Sequence, residues 1–325
     1  MTSLITGGGG MVGAELAHQL LKCNEKVVVF DKVKSGRLAD IADRITFAQG
    51  DLGIWPEVFN AVRANGVTHV YHMGALLTWE CEANPWACFQ VNVVGSYNVL
   101  EAARLSGVKG MMFTSSIGTF DPSLANELSD TAFQRPNSFY GAGKLYIEGL
   151  GKSYRRKFGL DFRSLRYPSV VGPENPVPGH WDVPMIQAAL AGKPVECPVP
   201  PDRGSAMIYY KDAALAAYLL LAAPADRIKT VNYNVGGVRR VTPRELEAAL
   251  RKHVSGLTVS YVAPPGPPMP VREITWDDSY ARSEWGWTPQ FSDVDRLVAD
   301  FVVEMKDPRR HGLAWRRVGG ERGTA

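Results

Sequence analysis

"SLITGGGGMVGAELAHQLLKCNEKVVVFD", residues 3–31, decides the fold. A short apolar strand runs into a glycine turn, then an amphipathic helix whose inner face carries Val12, Leu16, Leu20 and Leu21, then a second apolar strand, KVVVFD. That order is one β-α-β unit. Gly7, Gly10 and Gly13 form G-x-x-G-x-x-G. Residues without side chains let the backbone approach a pyrophosphate, which then faces the free N–H groups and positive dipole end of the helix. Asp31 ends the second strand, where a carboxylate accepts hydrogen bonds from an adenosine ribose and repels a 2′-phosphate. The expected cofactor is therefore NAD. Lys32, next in the chain, is a cation that would tolerate the extra phosphate.

Further strands follow at α/β spacing: ITFAQGDL (45–52), THVYHMGAL (68–76), KGMMFTSSIG (109–118) and LDFRSLRYPSVVG (160–172), with helical stretches at 55–64, 84–106 and 139–158 between them. Strands alternating with helices of this length predict an α/β fold, a doubly wound parallel sheet of Rossmann type with ligands at the carboxyl ends of the strands. The second half breaks the pattern. Prolines crowd GPENPVPGHWDVP and PVECPVPPDRG, and APPGPPMP follows later, which predicts a smaller, loop-rich C-terminal lobe over the substrate. The expected division is a cofactor domain over 1–171, with 205–236 returning to it. A substrate lobe then covers 172–204 and 237–310, and 311–325 form a flexible tail. TPRELEAALRKH (242–253) reads as a helix opened by a Thr cap, Pro at its first position and Glu245 closing a capping box.

Composition bounds the function. With 45% hydrophobic and 21% charged residues among 325, the chain is a globular protein large enough for a full core. A net charge of +3, partly from the last stretch, gives no basic face for nucleic acid. No apolar run approaches the roughly 20 residues of a membrane span. Cys23, Cys81, Cys88 and Cys197 show no C-x-x-C spacing and follow no secretory leader, so reduced thiols, a cytoplasmic location and no structural metal are expected.

Tyr140 stands four residues before Lys144 in NSFYGAGKLY. Alone the pair means little, since residues at i and i+4 share a helix face by geometry. Its setting gives it meaning. TGGGGMVG, Asp31, GDL (50–52), HMGA (72–75), NVVGSYNVLEAA (92–103), TSSIGTF (114–120), YGAGK (140–144) and LRYPSVVGP (165–173), in this order, resemble the extended short-chain dehydrogenase/reductase superfamily.

The resemblance implies an NAD-dependent oxidoreductase in which Tyr140 is the catalytic acid/base, Lys144 supports it and Ser116 hydrogen-bonds the substrate oxygen, with Ser115 as the alternative. A free phenol titrates near ~10 and needs a neighbouring cation to act as a base at neutral pH. Without the resemblance, the two serines would read as a strand end satisfying backbone groups. The resemblance also places Met11, Val12, Asp51 and Leu52 along the cofactor, the last two at the adenine. Met73, Gly74 and Ala75 would lie by the phosphate and ribose, Tyr167 and Val170 by the nicotinamide, and Asn92 and Ser115 in support. Thr78, His180, Trp181 and Arg272 are the expected substrate contacts, with Trp276 as a further apolar wall. His72 is expected to pack at the sheet end. Gly143 departs from the family, which usually carries serine there, and Gly141 adds a second helix glycine.

Within the superfamily, QRPNSFYGAGK, YRRKFGLDFRSLRYPSVV, AMIYYKDA and WDDSYARSEWGW most resemble the short-chain-type L-threonine 3-dehydrogenases. Sugar-nucleotide epimerases usually place an arginine where this chain has Ser205, the nearest being Arg203. The threonine enzymes present two threonines where this chain has His180 and Trp181. Three readings follow: a dehydrogenase of a small 3-hydroxy acid, a sugar-nucleotide epimerase or dehydratase with tightly held NAD, and a cofactor-binding regulator without turnover. Relatives pair through the helices at 84–106 and 139–158, so a homodimer is expected, with Tyr97, Leu100, Leu145, Ile147 and Leu150 as apolar residues beyond one face.

Overall fold

The computed structural model describes residues 1–121, 127–173, 178, 180–262 and 275–306. Arg272, the proline run at 263–270 and the expected flexible tail at 311–325 lie outside the described residues.

Seven strands form one parallel sheet: β1 (Thr2–Thr6), β2 (Lys26–Asp31), β3 (Ile45–Gln49), β4 (His69–His72), β5 (Gly110–Ser116), β7 (Asp161–Tyr167) and β11 (Asn232–Asn234), ordered β11-β7-β5-β4-β1-β2-β3. The order reverses between β1 and β4, and a crevice opens there at the carboxyl ends. One face carries α1 (Met11–Lys22) and α8 (Tyr210–Ala222), the other α2 (Trp55–Ala64), α5 (Gly95–Leu105) and α6 (Phe139–Phe158). With helices on both sides, strands such as KVVVFD are apolar throughout rather than alternating. In α8, Ala213, Ala214, Ala216 and Ala217 are all buried, so small side chains let α1 and the sheet close on it from two sides.

Pro168 divides the stretch expected to be one strand. Lacking an N–H, it cannot continue the ladder, so β7 ends at Tyr167 and β8 (Ser169–Val171) leaves for a three-stranded sheet with β10 (Ser205–Tyr209) and β12 (Val238–Val241). Thus β10 joins the small sheet, whereas α8 and β11 belong to the main one. Around the small sheet, α7 (Asp182–Leu190), α9 (Pro243–Arg251) and α11 (Val294–Lys306) bury a second core. Two strand pairs complete this half, β6 (Glu127–Leu128) with β14 (Thr275–Trp276) and β9 (Val195–Cys197) with β13 (Val259–Tyr261), along with helix α10 (Ser279–Trp285). The Thr242–Glu245 capping box forms at the start of α9.

The stretch at 84–106 is not one α-helix. It begins as α4 (Pro85–Cys88), widens into a π-helical segment at Phe89–Val94 and only then becomes α5. The widened turn carries the buried Asn92, and such turns are frequent at functional sites. Cys81, in α3 (Thr78–Ala83), and Cys88, in α4, form a disulfide, which corrects the expectation of four reduced thiols. The two short helices fold back on each other at Asn84, whose side chain caps α4 by accepting from the Ala87 N–H at 3.0 Å. Cys23 and Cys197 are free.

Candidate active site

At the switch point lies a cavity of about 750 Å³. Its floor is the glycine turn. Gly7 adopts φ +65°, and a Cβ on it would meet the Gly74 backbone at 2.6 Å, while one on Gly13 would meet the Gly7 carbonyl at 2.5 Å. These contacts require glycine on steric grounds. Gly10 caps α1 without a side-chain hydrogen bond, and the first turn carries no acidic residue, so the N–H groups there remain open to an anion. A pyrophosphate fits this cradle.

At the end of β2, Asp31 accepts from the Gly9 N–H at 2.9 Å and the Val33 N–H at 3.3 Å, which pins its carboxylate beside the turn. Lys32 reaches instead to Asp51, 2.7 Å away. Burial pushes the Asp51 carboxyl upward, but the hydrogen bonds from Lys32 and the Gly53 N–H outweigh it and hold the group below its ordinary value. The charge of Lys32 is thereby directed to a protein carboxylate.

At the other end of the cavity, Ser116 closes β5, its Oγ accepts from the Gly118 N–H at 3.0 Å, and its hydroxyl is the polar neighbour that lowers the Tyr140 phenol. Ser115 is turned away, since its hydroxyl donates to Glu148 at 2.5 Å. Of the two serines, Ser116 is the one whose hydroxyl acts on the tyrosine. Ser138 caps α6 by accepting from the Gly141 N–H, fixing the helix start that carries Tyr140 and Lys144. Gly141 is required there: a Cβ would lie 2.0 Å from the Gly118 carbonyl oxygen. Gly143 is under no such constraint, its nearest neighbour being Val93 at 3.4 Å.

Lys144 donates to the Thr114 carbonyl at 2.6 Å, with its ammonium 4.7 Å from the Phe113 ring centre and 5.5 Å from that of Tyr140. Burial lowers Lys144 to about 7, against the pull of Glu148. Tyr140 opens partly to the cavity, yet desolvation of its hydroxyl pushes it up to about 12, only partly offset by Ser116. Glu148 is itself clamped by Arg166 at 2.7 Å in a pair that is almost wholly buried.

Asn92 does not line the cavity. It accepts from the Leu76 N–H at 2.8 Å and donates to the Leu76 carbonyl at 2.9 Å, shaping the loop after β4 from behind. His72 sits between Thr6 and Ser96, at 2.6 and 2.8 Å, fully buried, and burial lowers it to about 3, so it is a neutral packing group.

Two residues expected at the substrate do not line the cavity. Trp181 lies in the second core with Met185 and Tyr209 rather than in the cavity wall. Trp276 is buried edge-on against Phe120 and donates to the Val235 carbonyl at 2.9 Å. For both, the apolar interior outcompetes the ligand pocket for a large ring. Apart from these two, Asn92 and the undescribed Arg272, every residue expected at cofactor or substrate lines this cavity, Thr78 and His180 among them. Leu76, Glu80, Ile117, Gly118 and Ser169 line it too and went unread, although Gly118 and Ile117 immediately follow the strand-end serines in sequence.

A switch-point dinucleotide cavity holding a serine, a tyrosine and a lysine defines a nicotinamide-dependent oxidoreductase of the extended short-chain type. The chain belongs to the NAD-dependent epimerase/dehydratase family, which it matches over residues 3–236. It is 33% identical to the mitochondrial L-threonine 3-dehydrogenase of Bos taurus, over 92% of this chain and 81% of that one. The holo form of a GalE-like L-threonine dehydrogenase from Cupriavidus necator superposes with a TM-score of 0.84 at 30% identity, covering 94% of this chain and 100% of the other. A UDP-glucose 4-epimerase from Thermus thermophilus, solved in complex with NAD, gives 0.75 at 28% identity, covering 93% and 99%. The protein is an NAD-dependent enzyme. No described helix is long and apolar enough to cross a membrane.

Proposed function

We propose that the protein oxidises the secondary hydroxyl of a small 3-hydroxy acid of the L-threonine kind and releases reduced NAD. The observation carrying this reading is the gathering of Ser116, Tyr140 and Lys144 in a cavity that also holds the glycine cradle. Ser116 orients the substrate oxygen, and Tyr140 takes the hydroxyl proton at its Oη. A phenol at about 12 needs a nearby cation for that role, and Lys144, lowered by burial to about 7, is that cation in its protonated form. NAD, when bound, accepts the hydride and adds a positive ring to the site. The threonine reading is supported by the Bos taurus and Cupriavidus necator relatives.

The test is reduction of added NAD across a panel of 3-hydroxy acids, sugars and sugar nucleotides. Steady formation of reduced NAD with L-threonine or a close analogue supports the proposal. Turnover of a sugar nucleotide without net reduction favours the second reading, an epimerase, to which the Thermus thermophilus relative points.

The same reading includes a two-fold homodimer. Leu100 and Ile147, expected at the interface, are instead buried inside the monomer. Of the expected residues Tyr97 stays exposed, and the exposed aromatics Trp86, Phe89, Phe139 and Tyr146 join it on these packed helices. Sedimentation at micromolar concentration as a species of twice 35.6 kDa would support the dimer, and a monomer would refute it.

A further inference from the structure

At the substrate end stands a polar group that Ser116, Tyr140 and Lys144 do not use. Ser169 opens β8, and His180 and Asp182 flank Trp181 at the start of α7. Ser169 Oγ lies 3.2 Å from His180 Nδ1 and donates to Asp182 Oδ2 at 3.2 Å. The same ring nitrogen is 3.7 Å from Asp182 Oδ1. Ser169 and His180 line the cavity, while Asp182, 2% exposed, lies behind them.

A carboxylate at that depth requires compensation. Asp182 receives the Val183 N–H at 2.7 Å and the Ser169 hydroxyl, and the Cys197 thiol faces it from β9. Among the described residues, the only basic side chain within ion-pair distance of it is His180. Facing Asp182 and Ser169 settles the orientation of the ring: Nδ1 points inward. Nε2 has no hydrogen-bond partner among the described residues, although the side chain, 29% exposed, borders the cavity. Ser169 donates to Asp182, so its Oγ accepts from the ring Nδ1–H and Nε2 is left toward the cavity; in its protonated form the ring offers Nε2–H to an anion there, and the fixed second partner holds the donor in place. A single donor of this kind suits a monoanion better than a phosphate dianion.

We propose that His180, backed by Asp182 and Ser169, is a specificity-determining residue that receives the substrate carboxylate. This rests on the 3-hydroxy-acid reading above and deepens it. His180 stands apart from the proton-transfer group, so it acts on substrate choice and affinity rather than on the chemical step.

The test uses the full-length protein with NAD, the variants His180→Asn and His180→Gln, and two probes, L-threonine and its uncharged carboxamide. Melting temperature and NAD affinity equal to the parent's verify the fold. The expected result is a KM for L-threonine raised by about tenfold or more, the loss of one charge-assisted hydrogen bond, with kcat little changed and the carboxamide unaffected. Equal effects on both probes, or no effect on either, overturn the proposal. A second readout needs no turnover: 3-hydroxybutyrate, but not 3-hydroxybutyramide, should raise the melting temperature of the NAD-bound parent and not of the variants. If no 3-hydroxy acid is oxidised yet this shift appears, the functional reading fails and the carboxylate site stands. If the parent oxidises L-threonine but shows the same shift as the variants, the site fails alone.

Discussion

The ammonium of Lys144 lies 5.5 Å from the centre of the Tyr140 ring and is anchored by the Thr114 carbonyl at 2.6 Å. One turn of α6 and the end of β5 thus fix both groups of the proton-transfer pair. Removing only the phenolic oxygen tests the pair. Tyr140→Phe should lower kcat by roughly 100-fold or more while NAD affinity, measured by calorimetry, stays near the parent's. A variant with near-parental turnover would remove Tyr140 from the acid/base role.

Asp31 is held beside the glycine turn and Lys32 is drawn to Asp51, so the edge that meets the adenosine ribose presents a carboxylate. NAD should bind at least about tenfold more tightly than NADP, a difference of about 1.4 kcal/mol. Equal dissociation constants by calorimetry would contradict this.

The two glycines between Tyr140 and Lys144 should behave oppositely. Gly141→Ala drives a methyl into the Gly118 carbonyl and should displace the loop that holds Ser116, costing both stability and activity. Gly143→Ala meets only ordinary contacts and should stabilise the helix by up to about 1 kcal/mol. Chemical denaturation of the two variants decides, and a Gly141→Ala protein as stable and active as the parent would count against the packing described.

Asp130 gives a pH dependence with a definite sign. Burial raises its carboxyl to about 7 against the stabilising Asn234 N–H. The folded chain therefore keeps a proton that the unfolded chain loses near pH ~4, and stability falls as pH rises through that window toward 7. Asp130→Asn removes the titration. Melting temperatures of parent and variant should diverge in the variant's favour between about pH 4.5 and 7.5, values spanning roughly the two pKa positions. A constant difference would show that Asp130 ionises normally.

What the sequence revealed and what it concealed follow the range of the forces involved. The β-α-β unit, the glycine cradle and Asp31 were legible because strand, turn and helix are each encoded within a few residues. Tyr140 and Lys144 became legible only from their order among other motifs. The buried positions of Trp181 and Trp276 were not, since a tryptophan in a proline-rich stretch looks alike whether it meets a ligand or a distant partner such as Phe120. The Cys81–Cys88 disulfide was hidden because the turn at Asn84 that joins α3 to α4 sets the sulfurs together, not their spacing. It also withdraws the thiol-based argument for a reducing compartment. The π-helical turn at Phe89–Val94 has no periodicity that distinguishes it from an α-helix, so the role of Asn92 in holding Leu76 emerged only from geometry.

The most direct test of the central claim follows one hydrogen. L-threonine carrying deuterium on its hydroxyl-bearing carbon is incubated with the protein and NAD, and the nicotinamide is isolated and weighed by mass spectrometry. Direct hydride transfer under Tyr140 predicts one deuterium in the reduced nicotinamide for each substrate oxidised. Reduced NAD without deuterium, or labelled substrate recovered with no reduced NAD formed, would contradict it.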